Sequence, residues 1–102
     1  MMPAARVLGG ETISRARLSA GRSLPSGAVV LAVEGRRLFK LNRVGSRVWE
    51  LAADAKPVLE IVATIAREFD VSPDGIRQDV FAFVGELVER GILVARDPGA
   101  DQ

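Results

Sequence analysis

The hydrophobic period of this chain changes once, and that change limits the folds open to it. Up to about residue 41, apolar residues alternate with polar ones or run in short β-branched stretches. From residue 43 onward they recur at helical spacing. Alternation fits a strand with one buried face, and spacing near 3.6 fits a helix with one buried stripe. Strands followed by helices, rather than interleaved with them, point to an α+β domain. At 102 residues the chain suits one small domain with one core.

The strand half is punctuated by turn chemistry. Leu24-Pro25-Ser26-Gly27 reads as a turn, because proline presets a turn dihedral and glycine tolerates positive φ. Ala28 to Val33 is apolar and β-branched, Glu34-Gly35-Arg36 can close a tight hairpin, and Arg37 to Leu41 alternates. A third, weaker strand is expected upstream, between about Thr12 and Leu24.

The helical half carries its own boundaries. Asn42 is suited to cap a helix from about Arg43 to Ala53, with Val44, Val48 and Leu51 on one face. Trp49 lies beside that stripe and is expected to pack the helix onto the hairpin. Pro57 suits a first helical turn, and Val58, Ile61, Val62, Ile65 and Phe69 form the next stripe, ending near Asp70. Ser72-Pro73-Asp74 reads as the start of a third and longest helix, which runs to Arg90, with Gly91 as its left-handed stop. Ile92-Leu93-Val94 can then pack back as a strand or as capping hydrophobes. The chain divides into a flexible segment 1–11, a folded domain 12–95 and a flexible tail 96–102.

Composition removes most chemistry. With no cysteine and no histidine, the chain has no disulfide, no thiolate or imidazole metal ligand and no Ser-His-Asp triad. The remaining acids show no paired geometry, so neither an enzyme nor a bound cofactor is expected. The longest apolar run falls far short of the roughly 20 residues a membrane span needs. Residues 1–10 lack the pattern of a signal peptide. With no such signal and no cysteine, a cytoplasmic location is expected. Charge is divided unevenly: residues 1–50 hold nine basic side chains against three acidic ones, and residues 51–102 hold five against ten. Such a split can steer an acidic partner to the first half, although solvated surface charge alone would look the same.

Two features go beyond core formation. At 100° per residue, Ile76, Val80, Phe83 and Leu87 fall within about 60° of one another and read as the core stripe of the third helix. Val84, Arg77, Val88 and Phe81 extend along one flank. Phe81 and Val88 therefore either wall an apolar groove or cover the remaining strand or the Ile92-Leu93 segment. In addition, so small a sheet leaves an edge with unpaired backbone groups. Arg37 and Lys40 on that edge could protect it from aggregation, or could guide an acidic peptide that adds as a further strand.

Within Leu38 to Leu93, Leu41-Asn42 followed by Gly45, Val48-Trp49-Glu50-Leu51, Glu60-Ile61, Asp79-Val80 with Phe83 and Leu87, and Gly91-Ile92-Leu93 stand in order. This segment resembles the PqqD-like family, or RiPP recognition elements, which bind leader peptides of ribosomally made, modified peptides. Pro57 and Gly75 depart from the family pattern, where a capping hydroxyl and an acid are usual. The resemblance implies a winged-helix-like fold, a three-stranded antiparallel sheet with a β-hairpin wing followed by a three-helix bundle. It also implies strand addition of a leader to the third strand, against the third helix. Candidate contacts are then Arg36, Arg37, Leu38, Phe39, Lys40 and Leu41 on the strand, and Arg77, Phe81, Val84 and Val88 on the helix. The implied role is a non-catalytic adaptor presenting a precursor peptide to a separate modifying enzyme, such as a radical SAM protein, a leader peptidase or a cyclase. Two alternatives stand beside it. One is a winged-helix DNA binder, disfavoured because the third helix has Asp74, Asp79, Glu86 and Glu89 against Arg77 and Arg90. The other is a structural subunit that forms a homodimer through Phe81 and Val88.

Overall fold

The computed structural model describes residues 7–16, 19–23, 25, 29–33 and 37–97. Their order is β1 (Thr12–Arg15), β2 (Ser19–Ser23), β3 (Val29–Val33), β4 (Arg37–Leu41), α1 (Arg43–Leu51), β5 (Lys56–Pro57), α2 (Val58–Glu68), α3 (Pro73–Glu89) and β6 (Leu93–Arg96). The expected α+β, winged-helix-like plan is present, with a three-stranded antiparallel sheet followed by three helices. The hairpin pairs Val29 with Leu41 and Val33 with Arg37. Its turn at 34–36 and the Pro25 turn residues 26–28 lie outside the described residues.

The upstream strand differs from expectation. It is two strands in two sheets. β2 joins the hairpin in the order β2-β3-β4, whereas β1 forms the centre of a second sheet, β5-β1-β6. Thr12 faces both Pro57 and Arg96, and Arg15 faces Leu93. This arrangement resolves the two possibilities for the terminal apolar segment in favour of a strand. Pro57 is correspondingly extended, with φ −58° and ψ 139°, and precedes α2 instead of occupying its first turn. A proline lacks the N–H of a central strand residue and is tolerated on a sheet edge.

Helix boundaries follow local chemistry closely. The Asn42 Oδ1 accepts the Gly45 N–H at 2.8 Å, which satisfies one of the orphan donors at the start of α1. At the other end of α3, Gly91 has φ 78°. The Gly91 N–H reaches the Val88 carbonyl at 3.0 Å and the Ile92 N–H reaches the Leu87 carbonyl at 2.9 Å. That pair of bonds is a Schellman motif, and it turns the chain back so that β6 can join β1.

One core serves both sheets and all three helices. Ile13, Val48, Val58, Ile61, Ile65, Val80, Val84 and Ile92 are fully enclosed. Val7 is also part of it, so packing reaches upstream of Thr12. The Glu11 carboxylate accepts the N–H groups of Leu8 and Gly9, each at 2.8 Å, and thereby folds residues 7–11 into a strap. Burial pushes the Glu11 carboxyl up, but the backbone donors outweigh it and hold the group below the usual carboxylate range.

Trp49 packs against β1 as well as within the core. Its ring is buried in the core, and the Arg15 guanidinium of β1 lies 3.3 Å from the ring centroid. Arg15 Nε also donates to the Trp49 carbonyl at 3.0 Å, at the C-terminal end of α1 where an arginine complements the helix dipole. Desolvation lowers the Arg15 pKa, against opposition from Glu50 and Asp54.

Candidate functional site

The face that α3 turns to the core is rotated from the one its spacing suggested. Phe81, Val84 and Leu87 are buried along with Val80, while Phe83 is only half-buried. The cause lies in the second sheet and the N-terminal strap. Gly9 of the strap lies against the Phe81 ring, so the apolar flank is covered by the protein's own chain. Phe81 and Val84 are therefore core residues, and they form no open groove wall. Val88 is half-buried against the same core, and Arg77 is exposed.

An open cleft exists on the other side of α3. It lies between the end of β4, the start of α1 and the C-terminal half of α3, with a volume of about 260 Å³. Leu41, Leu87 and Ile92 give it an apolar floor that is 5% exposed or less, and the Phe83 ring forms one wall. The Schellman turn is what brings Ile92 under the cleft. At the rim, Arg90 pairs with Glu86 at 3.0 Å, Asn42 lies at the helix cap, and Lys40 has no ion-pair partner among the described residues.

Beside this cleft runs the outer edge of β4. β4 pairs with β3 alone among the described strands, so alternate residues of its five direct backbone N–H and C=O groups outward. The Leu41 carbonyl is also bonded by the Ser46 hydroxyl at 3.2 Å, which anchors the end of the strand to α1. The arrangement can therefore offer main-chain hydrogen bonds next to an apolar recess, the two elements of β-strand addition.

The structure thus joins part of the expected site. Arg37, Leu38 and Phe39 occupy β4, and Lys40 and Leu41 line the cleft. Arg36 lies outside the described residues. On α3 the residues at the cleft are Phe83, Glu86, Leu87 and Arg90, and none of Arg77, Phe81, Val84 or Val88 lines it. Helical spacing alone missed this, because it cannot tell which flank another strand covers. Among the described residues no cluster of three or more potential metal-ligating side chains occurs. No helix among the described residues is long and apolar enough to cross a membrane.

The family profile described as coenzyme PQQ synthesis protein D (PqqD) matches residues 27–93, a span that contains every residue lining the cleft. The chain belongs to the PqqD family. A comparison with curated proteins finds no match. Among solved structures, the chain is similar to TbiB1 in complex with the TbiA(beta) leader peptide. The identity there is 27% and the TM-score 0.70, covering 78% of this chain and 93% of that one. It also shares its fold with the PqqD truncation of Methylobacterium extorquens PqqCD, described as a functional, stand-alone RiPP recognition element. In that case the TM-score is 0.73 at 24% identity, covering 92% of this chain and 99% of the other. β1, which centres the second sheet, lies upstream of the segment matched to the PqqD family.

Proposed function

We propose that this PqqD-family protein binds the leader region of a ribosomally synthesised precursor peptide as a strand added to β4, and presents it to a separate modifying enzyme. The observation that carries the reading is the open edge of β4 lying directly beside the apolar cleft of α3. Backbone pairing supplies affinity that is indifferent to sequence, and the cleft reads a side chain. Lys40, at the rim with no ion-pair partner among the described residues, favours an acidic residue nearby. The leader complex of TbiB1 supports this reading. The chain itself has neither histidine nor cysteine, which accords with leaving chemistry to a partner such as a radical SAM protein, a leader peptidase or a cyclase.

The test uses peptides selected from a displayed library of random 15-residue sequences on the full chain. Selected peptides should slow hydrogen exchange at alternate β4 amides and shift the NMR signals of Phe83 and Leu87. Failure to enrich any peptide, or enrichment of peptides that act elsewhere on the surface, would overturn the reading.

A further inference from the structure

Gly45 stands at the third position of α1 and is buried. Its backbone is ordinary right-handed helix, so the requirement for glycine there is not conformational. It is steric. A Cβ built on Gly45 would overlap the Cζ and Cε1 atoms of Phe83, and would come within 3.2 Å of the Asn42 Oδ1 that caps the helix. The Phe83 ring thus rests directly on the backbone of α1. Leu41, Leu87 and Ile92, the other apolar walls of the cleft, are held in the core and have no comparable freedom to move. Phe83 is half-buried and borders the cleft, so a ring lifted off α1 would move toward that open space.

The cleft is small. Its volume of about 260 Å³ is below the roughly 300–1,000 Å³ of small-molecule sites. Same-face side chains of an added strand are spaced about 7 Å apart. A recess of this size takes one such side chain fully, and its capacity depends on where the Phe83 ring lies.

We infer that Gly45, through the seat it gives Phe83, sets the largest apolar side chain that a strand added to β4 can insert into the cleft. Gly45 acts as a positioning residue that touches no ligand, and the inference rests on the peptide-binding reading above. A methyl group at residue 45 would displace the ring into the recess, and removing the ring would reopen it.

The experiment uses the library-selected 15-residue peptides and their single-alanine versions. On the unaltered protein, one large apolar residue of each peptide should lose about tenfold to a hundredfold in affinity when changed to alanine. In Gly45→Ala that ratio should fall toward one, because the large side chain no longer fits. In the Gly45→Ala, Phe83→Ala double variant it should recover. Phe83→Ala alone should shift preference toward still larger side chains, and it keeps the test decisive if Gly45→Ala does not fold. A merely structural glycine would lower the melting temperature and leave these ratios unchanged. Unchanged ratios in folded Gly45→Ala, unchanged size preference in Phe83→Ala, or peptides that bind at β4 with no apolar residue worth tenfold would each overturn the inference and leave peptide binding intact. If no peptide binds at β4, the inference and the reading fall together.

Discussion

The two sheets have the same number of strands and very different edges. In the β5-β1-β6 sheet, the central strand is tied at both ends. The Val58 N–H reaches the Glu11 carbonyl at 2.9 Å and the Ala16 N–H reaches the Ile92 carbonyl at 3.0 Å. Its β5 edge is two residues long and includes Pro57, which has no N–H to offer. In the β2-β3-β4 sheet, β4 presents a five-residue edge next to a cleft. In the first sheet β6 is an edge as well, four residues long, so what sets β4 apart is the cleft beside it. The fold thus separates stability from recognition, and substitutions in the two sheets should fail in different ways.

The largest effect should come from the β5-β1-β6 sheet. Ile13 is fully buried in β1, and Ile13→Ala should cost about 2–5 kcal/mol in a denaturant titration, through lost burial and the cavity left behind. A loss well under 1 kcal/mol would mean that the second sheet is peripheral to the core.

A smaller loss is expected at the strap that lies over Phe81. Glu11→Gln should cost about 1–2 kcal/mol near neutral pH, since the Leu8 and Gly9 N–H groups lose a charged acceptor. The folded-state carboxyl is depressed, so its contribution is complete above the ordinary value of 4.5 and disappears as pH falls through the lower folded value. The gap between the two proteins should accordingly narrow in acid. A gap that is constant with pH would show that the carboxylate is not what holds the strap.

The β2-β3-β4 sheet should respond in binding rather than stability. Lys40→Glu should change stability by no more than about 0.5 kcal/mol. It should slow association of acidic library-selected peptides and remove much of its salt dependence. An unaltered association rate would show that the rim charge does not steer the ligand. A further small effect belongs to neither sheet. Arg47 bonds Glu68 through two contacts of 2.7 Å, which lower the Glu68 carboxyl pKa, yet both side chains are 36% exposed. Arg47→Ala should therefore cost at most about 1 kcal/mol by thermal denaturation.

Features set by neighbouring residues were legible in the chain. Asn42 and Gly91 mark helix ends through bonds spanning three to five residues, and the 29–41 hairpin follows from its own alternation. The cleft was legible only in part. Lys40 and Leu41 could be placed on the edge strand, but Phe83 looked like core, and spacing left Phe81 open between a groove wall and the cover of a strand. Those two rings have the same chemistry and sit two residues apart on one helix. Their fates depend on Gly9 and on the pairing of β1 with residues more than seventy positions away.

The amino-acid order by itself determined where helices begin and end, which hairpin forms, and that no cysteine or histidine chemistry is available. Only the tertiary structure decided which side of α3 is covered and which sheet edge lies beside the cleft. Capping and periodicity act over one or two turns of chain, whereas burial of a face depends on what distant segment packs against it.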